Sequence, residues 1–238
     1  MIIVIKIGSS SVVKTANIKR IAKQVSALLK KHKQVIIVSS GAIALGSEKN
    51  PRLIEEKQAA AAVGQSRLMR QWEKAFERYR VPVGQILLTS DVFSDTVKRQ
   101  NAFNTISTLL KHGAVPIVNE NDTVAVDEIR VGDNDNLSAM VAVLMKAGLL
   151  INLTDVDGFY VKDQSGGILK LDLVEEIDEK IKAAATLSDK KHGTGGMITK
   201  LQSAKVCKAA GIVMVIAHAV KADLLKIAAG EKIGTRFI

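Results

Sequence analysis

Carboxylates and side-chain amides crowd a short polar stretch in the middle of the chain. It opens with Asn119-Glu120-Asn121-Asp122 and closes with Gly132-Asp133-Asn134-Asp135-Asn136. A solvated loop needs polar turn formers, but like charges this close together repel each other. A cation, or a substrate with cationic parts, offsets that repulsion. We therefore interpret this stretch as the acidic half of an active site.

A lysine lies inside the apolar run at the start of the chain. The run is Ile2-Ile3-Val4-Ile5-Lys6-Ile7, and Gly8 follows it. A buried ammonium group without a counter-charge is costly. The alternative is a lysine at a strand end whose ammonium group reaches water. We favour a functional role for Lys6, because it lies two residues before a turn of small residues at the expected ligand-binding edge.

A second lysine follows the strongest glycine-rich turn. The turn is Gly193-Thr194-Gly195-Gly196, and Lys200 comes one helical turn later. Glycine-rich turns at helix starts present backbone N–H groups to phosphate. The spacing is neither that of a Walker A loop nor that of a dinucleotide-binding fingerprint. The two lysines and the carboxylates together suit phosphoryl transfer, in which cations stabilise the transferred group and Mg²⁺ bridges the nucleotide phosphates.

Short apolar runs alternate with helix-like segments along the chain. This pattern predicts a three-layer αβα sandwich with a mostly parallel central sheet. The predicted strands are 2–7, 34–39, 83–89, 114–118, 149–153, 212–216 and 235–238. The predicted helices are 17–31, 55–80 (one helix, or two separated near Gly64), 96–111, 137–147, 193–210 and 222–229. Residues 123–131 are predicted to form a hairpin, and 157–191 a surface excursion that carries another.

Turns of small or polar residues follow several predicted strands, beginning at Gly8, Ser39, Asn119 and Thr154. The ends of parallel strands lie along one edge of a sheet, where ligands bind. The chain has no linker rich in Pro, Gly or Ser and no internal repeat. We therefore expect one domain spanning 1–238.

The amino-acid composition indicates an aliphatic core and argues against a nucleic-acid-binding protein. The 238 residues are 47% hydrophobic but only 3% aromatic, so the core must be aliphatic. The formal charge is +10, yet the lysines are spread along the chain and few aromatics remain for base stacking, so no nucleic-acid partner is expected.

The histidines lie singly, so no protein metal site is predicted. Cys207, the only cysteine, is interpreted as a buried apolar residue, and a cytoplasmic protein without membrane contact is expected.

In order along the chain, these motifs resemble the glutamate 5-kinases of the amino acid kinase family. The resemblance covers essentially the whole chain. The matching motifs are Lys6-Ile7-Gly8-Ser9-Ser10, Val38-Ser39-Ser40-Gly41-Ala42-Ile43, Asn119-Glu120-Asn121-Asp122, Gly132-Asp133-Asn134-Asp135-Asn136-Leu137-Ser138, Leu153-Thr154-Asp155, and Gly193-Thr194-Gly195-Gly196-Met197 with Thr199-Lys200.

The resemblance implies the amino acid kinase fold and ATP-dependent phosphorylation of the L-glutamate γ-carboxylate, the first step of proline biosynthesis. By position, Lys6 and Lys200 would stabilise the transferring phosphoryl group, and Asp135 would orient them. Mg²⁺ would arrive with ATP. The residues implied for glutamate are Ser40, Asp122, Asn134, Asn119 and Asp133. Those implied for ATP are Lys6, Gly8, Thr154, Asp155, Thr194, Gly195, Gly196, Met197, Ile198, Thr199 and Lys200.

The resemblance also implies a homo-oligomer, a dimer or a tetramer, and feedback inhibition by proline at the glutamate site. Many glutamate 5-kinases continue into a C-terminal domain similar to RNA-binding PUA modules, and this chain is expected to be a short form without it. Two alternatives stay open. One is a kinase of the same fold with another carboxylate or phosphate acceptor, and the other is a non-catalytic nucleotide sensor or nucleic-acid binder that uses the +10 charge.

Overall fold

The computed structural model describes residues 1–49, 51–125, 134–163, 167–189 and 196–238, except for the side chains of 187–189. Strands and helices alternate along these residues. The strands are β1 (Ile2–Ile7), β2 (Gln34–Ser39), β3 (Val83–Leu88), β4 (Val115–Glu120), β5 (Leu149–Thr154), β6 (Phe159–Lys162), β7 (Ile168–Leu171), β8 (Leu173–Val174), β9 (Val213–His218) and β10 (Thr235–Phe237).

Helices connect most of these strands, as parallel pairing requires. They are α1 (Ser9–Val12), α2 (Thr15–Lys30), α3 (Ala42–Gly46), α4 (Ile54–Glu77), α5 (Thr96–Lys111), α6 (Asp135–Leu144), α7 (Glu179–Asp189), α8 (Met197–Ala209) and α9 (Leu224–Ala228), with a 3₁₀ turn at Ser90–Phe93. None of these helices combines the length and the apolar character needed to cross a bilayer.

The main sheet has the strand order β3-β4-β2-β1-β5-β9-β10-β8 in the described residues. All its pairings are parallel except that of β9 with β10, and β6 pairs with β7 in a separate antiparallel hairpin. Helices cover both faces of the sheet, each over its own aliphatic core. The predicted three-layer sandwich with a mostly parallel sheet is therefore confirmed.

Side-chain alternation along the strands decides which face each site residue occupies. In β1, Ile3, Ile5 and Ile7 pack in the core beneath α2 and α4, whereas Val4 packs in the core beneath α6 and α8. Lys6 has the parity of Val4, so its side chain leaves the sheet on the face covered by α6 and α8. The period of the strand thus directs this lysine toward those two helices.

Several elements differ in extent from the prediction, and α4 and β4 show the physical reasons. The segment predicted as one helix or two is the single helix α4, which Gly64 does not interrupt. Gly64 instead permits a close crossing with α3, because a Cβ there would lie 1.7 Å from the carbonyl oxygen of Ala42. Strand β4 runs two residues further than predicted, because Asn119 and Glu120 stay paired with β3.

The excursion at 157–191 contains the predicted hairpin, formed by β6 and β7. It also contains helix α7, which was not predicted, and β8, which joins the main sheet beside β10. The hairpin predicted at 123–131 lies largely outside the described residues. Cys207 is buried in α8, and burial raises the pKa of its thiol to about 12, as expected of an apolar core residue and not of a nucleophile.

Candidate active site

The carboxyl ends of four neighbouring parallel strands bring most of the predicted site residues to one edge of the sheet. Along that edge the order of strands is β4, β2, β1, β5. Asn119 lies near the end of β4, Ser40 follows β2, Gly8 follows β1, and Thr154 ends β5. Parallel strands all point the same way, so residues far apart in sequence meet here.

Asp135 is the centre of the site. It opens α6 and is fully buried. The Lys6 Nζ atom lies 2.5 Å from Asp135 Oδ1, and the Lys200 Nζ atom lies 3.0 Å from Asp135 Oδ2. Both lysines are also buried, at 4% and 5% exposure. Two ammonium groups share one carboxylate, so the three side chains together carry one excess positive charge.

Two further side chains fix the orientation of the Asp135 carboxylate. Thr199 Oγ1 donates to Oδ2 at 2.9 Å, and Asn152 Nδ2 donates to Oδ1 at 2.7 Å. Thr199 was predicted to meet ATP, and the structure places its hydroxyl on Asp135. Asn152 was not predicted at all. Its signal in the sequence is a polar residue inside the apolar strand β5, and it pairs in register with Lys6 of β1.

Asn134, the residue before Asp135, holds the other half of the site together. Its Nδ2 donates to Ser40 Oγ at 2.9 Å and to Asn119 Oδ1 at 2.7 Å. Asn119 Nδ2 in turn donates to Oε1 of Gln65 on α4, at 2.9 Å. The predicted trio of Ser40, Asn119 and Asn134 is therefore in direct contact, and Gln65 is a partner that was not predicted.

Asp122 lies just beyond β4 and is partly buried. Burial, together with the negative charge of Glu120, raises the pKa of the Asp122 carboxyl from its ordinary value to about 6. This corner of the site is therefore anionic at neutral pH and suits a cationic group of a ligand. Asp133, also predicted here, lies outside the described residues.

Gly8, Thr154 and Asp155, which were predicted to bind ATP, lie at the ends of β1 and β5. Among the described residues, a Cβ atom added to Gly8 would meet only the Leu153 carbonyl oxygen, at 3.9 Å, so these residues leave space above the turn. Thr154 Oγ1 donates to Oδ1 of the exposed Asp155 at 3.0 Å. The strand ends on this side therefore leave room for a ligand to approach the backbone.

The start of α8 supplies the remaining residues predicted for ATP. Gly196 precedes the helix, the Met197 side chain packs in the hydrophobic core, and Ile198 is partly exposed. Thr194 and Gly195 lie outside the described residues. Among the described side chains, no group of three His, Cys, Asp or Glu residues is placed to hold a metal ion.

The sequence matches the amino acid kinase family over residues 1–218. It is 43% identical to a glutamate 5-kinase of a Thermoanaerobacter species, covering 100% of this chain and 68% of that protein. It is 45% identical to the glutamate 5-kinase of Clostridium acetobutylicum, covering 99% of this chain and 94% of that protein.

The solved structure of carbamate kinase from Giardia lamblia bound to AMP-PNP resembles this chain with a TM-score of 0.70. The match covers 100% of this chain and 98% of the other, at 15% sequence identity. At that identity the similarity concerns the fold alone.

We expect Asp135→Asn to destabilise the protein by about 3 kcal/mol, because it removes the negative charge that the buried ammonium groups of both Lys6 and Lys200 contact. Urea unfolding at neutral pH measures the change. The matched control is Asp155→Asn at the exposed end of the same edge, which should stay within about 0.5 kcal/mol of the parent. An Asp135→Asn variant as stable as the parent would show that the carboxylate does not hold the two lysines.

Proposed function

The chain belongs to the amino acid kinase family, and from that premise we propose that it phosphorylates L-glutamate with ATP. The phosphoryl group is transferred to the γ-carboxylate and forms L-glutamyl 5-phosphate. This is the reaction of a glutamate 5-kinase, the first step of proline biosynthesis.

The observation that carries the proposal is the order of groups along the sheet edge. Amides and carboxylates gather at the ends of β4 and β2, on one side. The open glycine turn after β1 and the end of β5 lie on the other side. The cluster of Lys6, Asp135 and Lys200 lies between them. An acceptor bound on the first side and a nucleotide on the second would meet at the two lysines.

The chemistry needs positive charge and alignment more than it needs a base. An oxygen of the γ-carboxylate attacks the γ-phosphorus of ATP, the bond to the β,γ-bridging oxygen breaks, and its electron pair leaves with ADP. The carboxylate is already ionised at neutral pH, so no proton has to be removed. We assign Lys6 and Lys200 to the oxygens of the transferring group, where the excess positive charge of the cluster offsets the repulsion between two anions.

On the acceptor side, each charged group of glutamate would meet a side chain of matching chemistry. Ser40 offers its hydroxyl to a carboxylate of glutamate, and Asn134, whose Nδ2 donates to Ser40 Oγ and to Asn119 Oδ1, orients that hydroxyl. Asp122, next to Glu120, offers a negative charge to the α-ammonium group. Asp133 is proposed here from the sequence alone.

On the nucleotide side, we propose that ATP occupies the space above Gly8 and the end of β5. Thr154, Asp155 and the residues from Thr194 to Lys200 would surround it. Asp135 already forms ion pairs with two ammonium groups, so we assign its carboxylate to orienting the two lysines and not to binding a metal ion. Mg²⁺ would therefore arrive on the ATP phosphates, where it neutralises their charge.

Oligomer formation and inhibition by proline are also proposed for this kinase domain. We propose that residues 1–238 act as one kinase domain in a cytoplasmic homo-oligomer, a dimer or a tetramer. Proline carries an α-carboxylate and an α-amine, so it would compete at the glutamate site. Inhibition that is overcome by raising the glutamate concentration is the kinetic sign of this competition.

We expect ADP release from Mg-ATP to depend on L-glutamate, and hydroxylamine to trap the acyl phosphate as a hydroxamate. N-acetylglutamate, aspartate, carbamate and UMP serve as parallel acceptors. ADP formed with another of these acceptors, and none with glutamate, would leave the fold assignment intact and reject the substrate. No turnover with any acceptor would favour a binding protein.

We expect Lys6→Met and Lys200→Met each to lower kcat by about 100-fold or more, because each removes charge from the transferring group. Each variant still leaves Asp135 one ammonium partner, so the fold should persist in circular dichroism and thermal melting. Lys205→Met is the matched control, since Lys205 is exposed on α8 with Lys200. Turnover close to that of the parent in either variant would remove that lysine from the mechanism.

We expect the KM for glutamate to rise by about tenfold as the pH falls from 7 to 5. With a pKa of about 6, Asp122 is mostly ionised at pH 7 and mostly protonated at pH 5, where its attraction for the α-ammonium group is lost. Steady-state kinetics at saturating Mg-ATP measures this. Asp122→Asn should have a high KM at both pH values, and a pH-independent KM in the parent would contradict the role of Asp122.

A further inference from the structure

Helix α4 covers one face of the sheet and makes hydrogen bonds to the ends of β4 and β2, on the acceptor side of the site. Gln65 Oε1 accepts from Asn119 Nδ2 at 2.9 Å, and Trp72 Nε1 donates to Ser39 Oγ at 3.1 Å. Seven residues separate Gln65 from Trp72, nearly two helical turns, so both side chains lie on one face of α4. The ends of β4 and β2 are therefore joined to the same helix.

Gln65 is the end of a continuous hydrogen-bond relay that reaches Ser40. Asn119 donates to Gln65, Asn134 donates to Asn119, and Asn134 also donates to Ser40. A primary amide that gives its N–H to one partner turns its carbonyl elsewhere, so each bond sets the orientation of the next amide. The carbonyl of Gln65 therefore anchors the orientation in which Asn134 is held.

The carbonyl and the NH₂ group of the Gln65 amide differ in their hydrogen bonding. Gln65 is 9% exposed, and its buried Nε2 atom has no hydrogen-bond partner among the described residues. A buried N–H without an acceptor is costly. Turning over the Gln65 amide alone would place its N–H groups against those of Asn119. The fold thus retains an unsatisfied donor while the carbonyl serves Asn119.

We propose that Gln65 is a positioning residue for the acceptor substrate. Its carbonyl holds the amide of Asn119, and through it the amide of Asn134, which in turn orients the Ser40 hydroxyl that a substrate carboxylate would meet. Gln65 acts only through this relay. The inference rests on the proposed function, because it assigns the acceptor to the Ser40 and Asn134 side.

The test compares Gln65→Met with Gln71→Met on the same helix. Gln71 is half-buried and lines a surface groove with Arg70 and Lys74. Gln65→Met should raise the KM for glutamate about tenfold while kcat and the KM for ATP stay within about twofold. Gln71→Met should leave all three unchanged. A merely structural defect would lower the active fraction, and hence kcat, without this selective rise.

A double-mutant cycle tests the relay itself. On an Asn134→Ala background, where the relay is already cut, Gln65→Met should add less than about twofold to the KM for glutamate. A full tenfold addition on that background, or an unchanged KM in folded Gln65→Met, would overturn the proposal.

Gln65→Glu keeps an acceptor for Asn119, so it provides a test even if the methionine variant does not fold. Its KM for glutamate should remain within about threefold of the parent. A folded Gln65→Glu variant with a tenfold higher KM would also overturn the proposal. Failure of the proposed function is a separate result, because the unaltered protein would then form no hydroxamate from glutamate.

Discussion

The ion pairing of one buried carboxylate with two buried ammonium groups is the interaction on which this site depends. Lys6 and Lys200 come from distant parts of the chain, and burying an ammonium group is costly unless it is paired, as Asp135 pairs both of these. Because the three charges do not cancel, the cluster has one excess positive charge, and under the proposed function this is where two anions would approach. The same interaction therefore joins the sheet to α6 and α8 and makes the site suitable for phosphoryl transfer.

Adjacent residues connect this cluster to the acceptor side. Asp135 makes its ion pairs and hydrogen bonds on the face of the sheet that α8 covers. Asn134 donates hydrogen bonds to Ser40 and to Asn119, and Asn119 links it to Gln65 of α4. The start of α6 thus bridges the helix layers on both faces of the sheet. Under the proposed function, an acceptor bound on this side would lie at a fixed distance from the lysines, which is the alignment that transfer between two anions requires.

The acidic corner carries a charge that the fold itself does not stabilise. Asp122 has a raised pKa because burial and Glu120 both disfavour its charge. By linkage, the folded state takes up a proton between the ordinary carboxyl pKa and about 6, so ionised Asp122 lowers stability above that range. Such a carboxylate is typical of a site where a cationic ligand supplies the missing compensation.

The sequence by itself predicted the strands of the main sheet other than β8, the layered α/β class, and Lys6, Asp135 and Lys200 as candidate site residues. Apolar runs have the period of buried strands, and a charge at the end of such a run indicates a paired or ligand-binding group, because burying it alone is costly. Only the tertiary structure identified Asn152 and Gln65, whose partners lie 17 and 54 residues away. A polar side chain acquires such a role from the hydrogen bond it makes across the fold, and local spacing carries no record of that partner.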